Sequence, residues 1–342
     1  MPKAKFMSLE EAVRTYCHDG MCLAMGGFTG FIRNSAAFAW EIVRQGIKNI
    51  HYLCGHPGWH TFLMDAAGLI TINENCWLGY GEVLAKMDFC GIRLYQEGKM
   101  IYEDYSHAQH GFRMLAGALG LPFIPCRSPL GSDILNPEFD ALGKAGARDG
   151  KNPKIPRKKL EVMEDPFFNS GKVILVPAAR PEVGVIHAQQ VGDMGTVRCR
   201  GCLSLDKELA FACDKLIVTC EEIVPEEVLR SDPNSNTVPF VKVDAVVQIP
   251  WGAHPTSVPY YYDYDAKFIR ESDKAQRSAD TMKVWLDEWV YGPKDWSEYL
   301  NKVGGARLAE IRADSIGYST RQVRGNNPPP RAYKPLSWRK EV

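Results

Sequence analysis

Several segments combine residue types that can hold or transform a small anionic molecule. Met25-Gly26-Gly27-Phe28-Thr29-Gly30 directly follows the apolar run Met21 to Met25. Glycines placed just after a strand let the backbone approach a ligand, and their N–H groups can hold an oxyanion or a carboxylate. A plain tight turn is the alternative. The spacing is not GxGxxG and no acidic residue closes a following strand at the required distance, so a dinucleotide site is not expected. Tyr102-Glu103-Asp104-Tyr105-Ser106-His107 sits where a strand passes into a helix. Asp104 or Ser106 can serve there as a simple helix cap. Strand carboxyl ends are also where open α/β sheets place ligands, and Glu103 is a carboxylate able to orient a substrate or act as a base.

Three further segments carry hydrogen-bonding side chains. Gly131-Ser132-Asp133 reads as a turn in which Ser132 or Asp133 bonds nearby backbone. Ile186-His187-Ala188-Gln189-Gln190 reads as lying just past an apolar strand. Packing alone is a poor reason for His187, Gln189 and Gln190 together, and a ligand-facing or subunit-facing role is the alternative. Gly252-Ala253-His254-Pro255-Thr256-Ser257 follows another strand in the same way. Other patterns are weaker. Cys199 and Cys202 form one CxxC without a second pair, and His56 and His60 flank Pro57 and Gly58, which spoils helical ligand spacing, so no metal site is expected. There is no GxSxG elbow. The YYYDYD run at 260–265 has no interleaved basic residues and reads as an aromatic surface packed on a partner.

The elements that must position these groups alternate. Ser8 and Glu11 form a capping box before a helix carrying Leu9, Ala12, Val13 and Tyr16. Met21 to Met25 (strand), the glycine turn and Ser35 to Gln45 (helix, stopped by Gly46) make half of a βαβ unit. Strands are expected at 49–54, 69–72 and 99–102, a helix-like segment at 83–90, a helix at 105–119 and an extended stretch at 121–126. Residues 127–170 lack periodicity and contain KNPKIPRKK, a basic surface excursion that reads as a solvated loop or as a docking place for an anionic group. Strands are expected again at 172–176 and 183–187, which are strongly β-branched, and at 216–220 and 243–249, apolar enough to be covered on both faces. Helices are expected at 205–213, 281–291 and 297–302. The pattern predicts an α/β fold with an open, mostly parallel sheet and helices on both faces. It suggests a single elaborated domain over 1–325 and a proline-rich C-terminal tail over 326–342.

Composition narrows the function classes. In 342 residues, 41 Lys and Arg balance 41 Asp and Glu, which excludes a global basic field for nucleic acid or anionic lipid. Hydrophobic residues at 45% with 24% charged residues exclude a disordered chain. No apolar stretch is long enough to span a membrane, and the start, MPKAKFMSLEEAV, shows no signal peptide. Ten cysteines without export signals fit reduced, mostly buried thiols and a cytoplasmic location.

The segments DGMCLAMGGFT, EIVRQGI, MIYEDYS, GALGLPFIP, VIHAQQVGDMGTVR, IVTCEEI, VDAVVQIPWGAHP, YDYD and YLNKVG together resemble the alpha subunits of two-subunit family I CoA-transferases of the glutaconate type, over residues 6–320. The resemblance implies an enzyme active only with a beta subunit, as a hetero-oligomer. It implies a coenzyme A thioester as substrate rather than a permanently bound cofactor, and a small carboxylate as acceptor. In that family the nucleophilic glutamate lies on the beta subunit, in a Ser-Glu-Asn-Gly-like motif. Asn73-Glu74-Asn75-Cys76 shares only its Glu-Asn pair and is not expected to replace it. On this reading the backbone of Gly26, Gly27, Phe28 and Thr29 lines the site with oxyanion donors. Gly131, Ser132, His187, Gln189, Gln190 and His254 then bind substrate or face the partner, and Glu103 is the best carboxylate of this chain. Two departures bear on the acyl group. Ser35 stands near an expected proline, and CGHPGWHTF replaces a small, glycine-rich segment. Relatives on such scaffolds decarboxylate methylglutaconyl-CoA or hydrolyse ring-containing acyl-CoAs, so a hydrolase or decarboxylase, and a non-catalytic scaffold subunit, are the alternatives.

Overall fold

The computed structural model describes residues 5–53, 56–79 and 87–321. The first helix forms where its cap predicts. Ser8 accepts the Glu11 amide at 3.1 Å, and Leu9, Ala12 and Val13 turn inward along Leu9–Tyr16 (α1). The strands follow as Lys5–Phe6 (β1), Cys22–Met25 (β2), Ile50–Leu53 (β3), Ile70–Asn75 (β4), Ile101–Asp104 (β5), Phe123–Cys126 (β6), Glu161–Glu164 (β7), Lys172–Pro177 (β8), Val183–Gly192 (β9), Val197–Arg198 (β10), Lys215–Val224 (β11) and Ala245–Gln248 (β12). Among the described residues they build a nine-stranded sheet in the order β1-β12-β11-β9-β2-β3-β4-β5, with β10 against β9. Every neighbouring pair along that order is parallel, and only β10 is antiparallel. A smaller antiparallel sheet, β6-β8-β7, stands apart from it.

Helices cover both faces, as predicted. Ala36–Gln45 (α2) and Trp59–Ala66 (α3) join α1 on one face, over Leu23, Met25, Val183, Val185 and Ile217. Phe89–Gln96 (α4) follows the segment read as helix-like at 83–90; residues 83–86 lie outside the described residues, and the helix begins only where Asp88 accepts the Gly91 amide at 2.9 Å. His107–Ala118 (α5) and, after the short Ala141–Lys144 (α6), Asp206–Ala212 (α7) cover the other face over Ala24, Ile186, Ala188 and Val218. Glu226–Arg230 (α8), Ala266–Ala275 (α9), Ala279–Leu286 (α10), Trp296–Val303 (α11) and Gly305–Ile311 (α12) complete the chain. The last turn of the helix expected at 281–291 relaxes to π geometry at Asp287–Tyr291. No helix among the described residues is long and apolar enough to cross a membrane.

Three expectations need correction. The 127–170 excursion is not all solvated loop, since β7 pairs with β8 and Lys159 is buried. The strand beginning at Val183 does not stop at His187; it runs on to Gly192 because β10 and β11 both pair with its second half. The 260–265 run is only in part a surface, with Tyr260 exposed. Tyr262 is buried and stacks on Trp251 at 4.3 Å, and Asp265 caps α9 by accepting the Phe268 amide at 2.9 Å. The 326–342 tail lies outside the described residues.

One buried pair makes stability depend on pH. Asp65 of α3 meets Asp88, the cap of α4, and both are buried. Burial, then the Asp88 charge, raises the Asp65 carboxyl well above its ordinary range, and burial pushes Asp88 up to about 6 against the pull of the Gly91 amide. Carboxyls raised in this way bind protons more tightly folded than unfolded. The stability contributed by Asp88 is therefore complete below the unfolded value near 3.8 and is lost as pH rises through about 6, and the raised Asp65 carboxyl acts in the same direction. Asp65→Asn removes the like charge and is expected to stabilise the fold by about 1–2 kcal/mol at pH 8, with little gain near pH 4. Urea melts at the two pH values check this, and a gain that does not change with pH would sink it.

Candidate active site

The glycine loop after β2 is fixed by its own backbone. Gly26 donates to the Val185 carbonyl at 2.8 Å, Gly27 to Asp206 Oδ1 at 2.7 Å and Phe28 to the Ile32 carbonyl at 2.9 Å. Gly27 sits at φ +107°, and a Cβ there would lie 2.6 Å from Asn34 Nδ2 and 2.9 Å from the Arg33 carbonyl, so only glycine fits. Three of the amides expected to bind an oxyanion, those of Gly26, Gly27 and Phe28, are thus already spent inside the chain. What the loop offers a ligand is its shape and the half-buried Phe28 and Thr29.

A buried ion pair locks this loop to the one before α7. The Arg33 guanidinium is fully buried and bonds Asp206 Oδ2, the Cys202 carbonyl and, at 3.2 Å, the His187 carbonyl. Burial disfavours the Arg33 charge, and Asp206 beside it more than restores it. Thr29, Arg33 and Ser204 hold left-handed backbone, at φ 53°, 49° and 50°. Such strain persists only where surrounding contacts over-determine it, and it concentrates at functional sites. The two loops therefore form one rigid wall.

Beside this wall the structure gathers side chains at the carboxyl ends of β2, β3 and β5. The half-buried His56 ring lies 5.0 Å from Phe28 and 5.0 Å from His107, the exposed first residue of α5. His56 Nδ1 is 2.9 Å from Ser204 Oγ. Burial, then the neighbouring His107, pushes His56 down to about 4. The sequence raises His56 only as a metal ligand and does not single out Ser204 or Arg33. The usable signal is the departure at CGHPGWHTF.

The remaining expected site residues are placed elsewhere. His187 is fully buried inside β9, with Nδ1 2.8 Å from Thr219 Oγ1 and Nε2 2.8 Å from Glu221 Oε1. Glu221 also accepts the Tyr262 hydroxyl at 2.6 Å and the Trp251 amide at 2.7 Å, so His187 ties β9, β11 and the loop after β12 together. Gln189 is buried and bonds Arg200 and the Pro259 carbonyl. Gln190 reaches Glu222 at 3.3 Å on the opposite face of the strand. His254 is buried against the Tyr299 hydroxyl at 2.7 Å and Asp265 at 3.2 Å. Burial opposes the Asp265 charge, but the His254 bond and charge hold that carboxyl at about 2. Gly131 and Ser132 form an exposed turn in which Ser132 bonds the Pro129 carbonyl at 2.8 Å. In none of these does a side chain reach the His56 cluster.

Glu103 is buried at the end of β5. Its Oε1 meets Lys159 Nζ at 2.7 Å, and its Oε2 accepts the Leu142 amide at 2.8 Å and meets Arg148 at 3.2 Å. Burial pushes the carboxyl up, against Lys159, the Leu142 amide and Arg148. Glu74 is equally enclosed, between His51 and Arg113, each at 2.6 Å. Burial opposes its charge, and Arg113 with His51 holds it well below the usual range. Among the described residues no group of three or more His, Cys, Asp or Glu is placed to hold a metal ion.

A parallel sheet covered on both faces, with a glycine loop locked at its carboxyl edge, suits an α/β enzyme acting on a small molecule. Residues 6–248 match the sequence model of the coenzyme A transferase family, and the chain belongs to that family, among its alpha subunits. It is 36% identical over 316 residues to the alpha subunit of glutaconate CoA-transferase from Acidaminococcus fermentans, spanning 92% of this chain and 97% of that one. The crystal structure of that transferase superposes with a TM-score of 0.87, covering 92% of this chain and 98% of that one. The alpha subunit of 3-oxoadipate CoA-transferase from Pseudomonas knackmussii is 32% identical over 303 residues, 88% of this chain and 98% of that one. A variant of the decarboxylase AibA/AibB superposes with a TM-score of 0.66 at 25% identity, over 84% of this chain and all of that one.

Proposed function

We propose that this chain is the alpha subunit of a two-subunit CoA-transferase. It moves CoA between a short dicarboxylic acyl-CoA, such as glutaconyl-CoA, and a second carboxylate, such as acetate. The observation that carries this reading is the near full-length identity with the alpha subunits of two CoA-transferases, one named for glutaconate and one for 3-oxoadipate. The nucleophilic glutamate is assigned to a beta subunit. In support, Glu74 and Glu103 are both buried and ion-paired, so neither is open to attack a thioester. The partner carboxylate attacks the acyl-CoA carbonyl and expels CoA thiolate, giving an acyl-glutamyl anhydride. CoA thiolate then attacks the glutamyl carbonyl, forming a glutamyl-CoA thioester and releasing the first acid. The second acid attacks that thioester and leaves as the new acyl-CoA, through the same two steps in reverse. This chain supplies the rigid wall built by Gly27, Arg33 and Asp206. The described cysteines are all free thiols, which supports work in a reducing cytoplasm.

Co-expression with its beta-type partner, followed by glutaconyl-CoA and acetate, tests the reading. Acetyl-CoA detected by mass only when both chains are present is the expected result. Free CoA or carbon dioxide in its place would overturn the transferase reading in favour of a hydrolase or a decarboxylase, the activity named for the AibA/AibB relative.

A further inference from the structure

Acyl transfer places negative charge on the thioester oxygen, and donors preorganised toward that oxygen supply much of the rate. The amides of Gly26, Gly27 and Phe28 do not provide them, because each is bonded within the chain. With these three amides spent, a side chain at the same carboxyl edge is a candidate donor from this subunit.

We propose that His56 is a catalytic residue of this chain, its Nε2–H donating to the thioester oxygen as charge develops there, with the Ser204 hydroxyl on Nδ1 fixing that tautomer. The proposal rests on the acyl-CoA reading above and adds the residue through which this subunit takes part in the chemistry. Ser204 Oγ has His56 Nδ1, at 2.9 Å, as its hydrogen-bond partner among the described residues. Among the described residues that hydroxyl has no other acceptor, so its hydrogen is assigned to the Nδ1 lone pair, which puts the ring proton on Nε2. Nε2 makes no hydrogen bond to the described protein. Ser204 is held in left-handed backbone, and the bonds from Arg33 to the Cys202 carbonyl and to Asp206 hold the segment on either side of it. The ring itself is clamped between Phe28 and His107.

The charge state fits this role. Burial, then His107, keeps His56 neutral down to about pH 4, and His107 is the titratable side chain that faces it. A neutral imidazole donates without surrendering its proton, the arrangement that suits an oxyanion rather than a general acid. In the step itself the partner carboxylate forms a C–O bond to the thioester carbon, and the carbonyl electron pair moves to oxygen. The C–S bond then breaks and CoA leaves as thiolate. The His56 proton stays on Nε2 throughout.

The test uses the assembled two-subunit enzyme carrying His56→Ala, His56→Gln or Ser204→Ala, with assembly checked by size-exclusion chromatography. Loss of one oxyanion donor lowers kcat by about 100- to 1,000-fold, and that is the result expected for His56→Ala, with KM for the acyl-CoA nearly unchanged. His56→Gln keeps an N–H donor and is expected to recover at least about tenfold of that loss. Ser204→Ala is expected to fall between wild type and His56→Ala, because the tautomer is no longer pinned. An assembled His56→Ala enzyme within about threefold of wild-type kcat overturns the proposal. So does His56→Gln that is no better than alanine. Should His56→Ala fail to assemble, wild-type kcat in both other variants overturns it. Each rate is followed on whichever product the wild type forms. Acetyl-CoA, free CoA and carbon dioxide decide the reaction class, while the loss relative to wild type decides the role of His56, so the two readings fail separately.

Discussion

Arg33→Met is expected to remove about 3–5 kcal/mol of folding stability, the cost of stranding one partner of a buried ion pair. Arg33 and Asp206 are both fully buried, in contrast to Lys283–Asp287, whose side chains are 76% and 52% exposed and whose removal is expected to cost at most about 1 kcal/mol. Without Arg33, Asp206 keeps only the Gly27 amide as a donor among the described residues, and the carbonyls of Cys202 and His187 lose their guanidinium partner. Adding Asp206→Leu removes the stranded charge, so the double variant is expected to recover part of the loss and to beat the sum of the single effects. Recovery stays incomplete, because the Gly27 amide is then unpaired in a buried place. Denaturant melts of the three variants supply the cycle. An Arg33→Met protein within about 1 kcal/mol of wild type would show that the pair is not the lock between the two loops.

The fold was legible because its signals are local. Ser8 with Glu11, the Gly46 stop, and the apolar runs from Met21, Val183, Leu216 and Val243 each announce an element by cap or by period. Boundaries slipped where pairing overruled pattern. β9 runs five residues past His187 because β11 continues beside it, and that extension carries polar residues which sequence alone reads as a strand end. The same slip explains the site. His187, Gln189 and His254 look functional because buried histidines and glutamines are uncommon, yet each saturates its bonds inside the core. His56 and Ser204 are separated by 148 positions, and Arg33 and Asp206 by 173, so no spacing rule joins them. Only the strand order brings the ends of β2 and β3 beside the loop before α7.

Glu103→Gln separates a structural carboxylate from a catalytic base. Glu103 holds the 127–170 excursion onto β5 through three of its members, the Leu142 amide, Arg148 and Lys159. Glutamine leaves one neutral oxygen for these donors, so the buried Lys159 loses its counter-charge and keeps the Phe139 carbonyl at 2.6 Å, while Arg148 keeps Asp140 at 2.8 Å. One cation is then stranded rather than two, which places the expected loss near the lower end of the range for a broken buried pair, at about 3 kcal/mol. The damage should be regional. Limited proteolysis is expected to cut first within 127–170, since the rest of β5 keeps its pairing with β4. Turnover per assembled enzyme, measured well below the melting temperature, is expected to stay within about tenfold of wild type. A general base gives the reverse pattern. Losing it lowers kcat by about 100- to 10,000-fold, erases one limb of the pH profile and leaves the melt unchanged. Because Lys159 and Arg148 already occupy both oxygens, a proton acceptor at this position would have to break an ion pair in every cycle. Lys159→Met extends the test: in a structural role it strands the opposite charge and destabilises the same excursion, whereas in a catalytic role it raises the basicity of Glu103 and moves the pH profile instead.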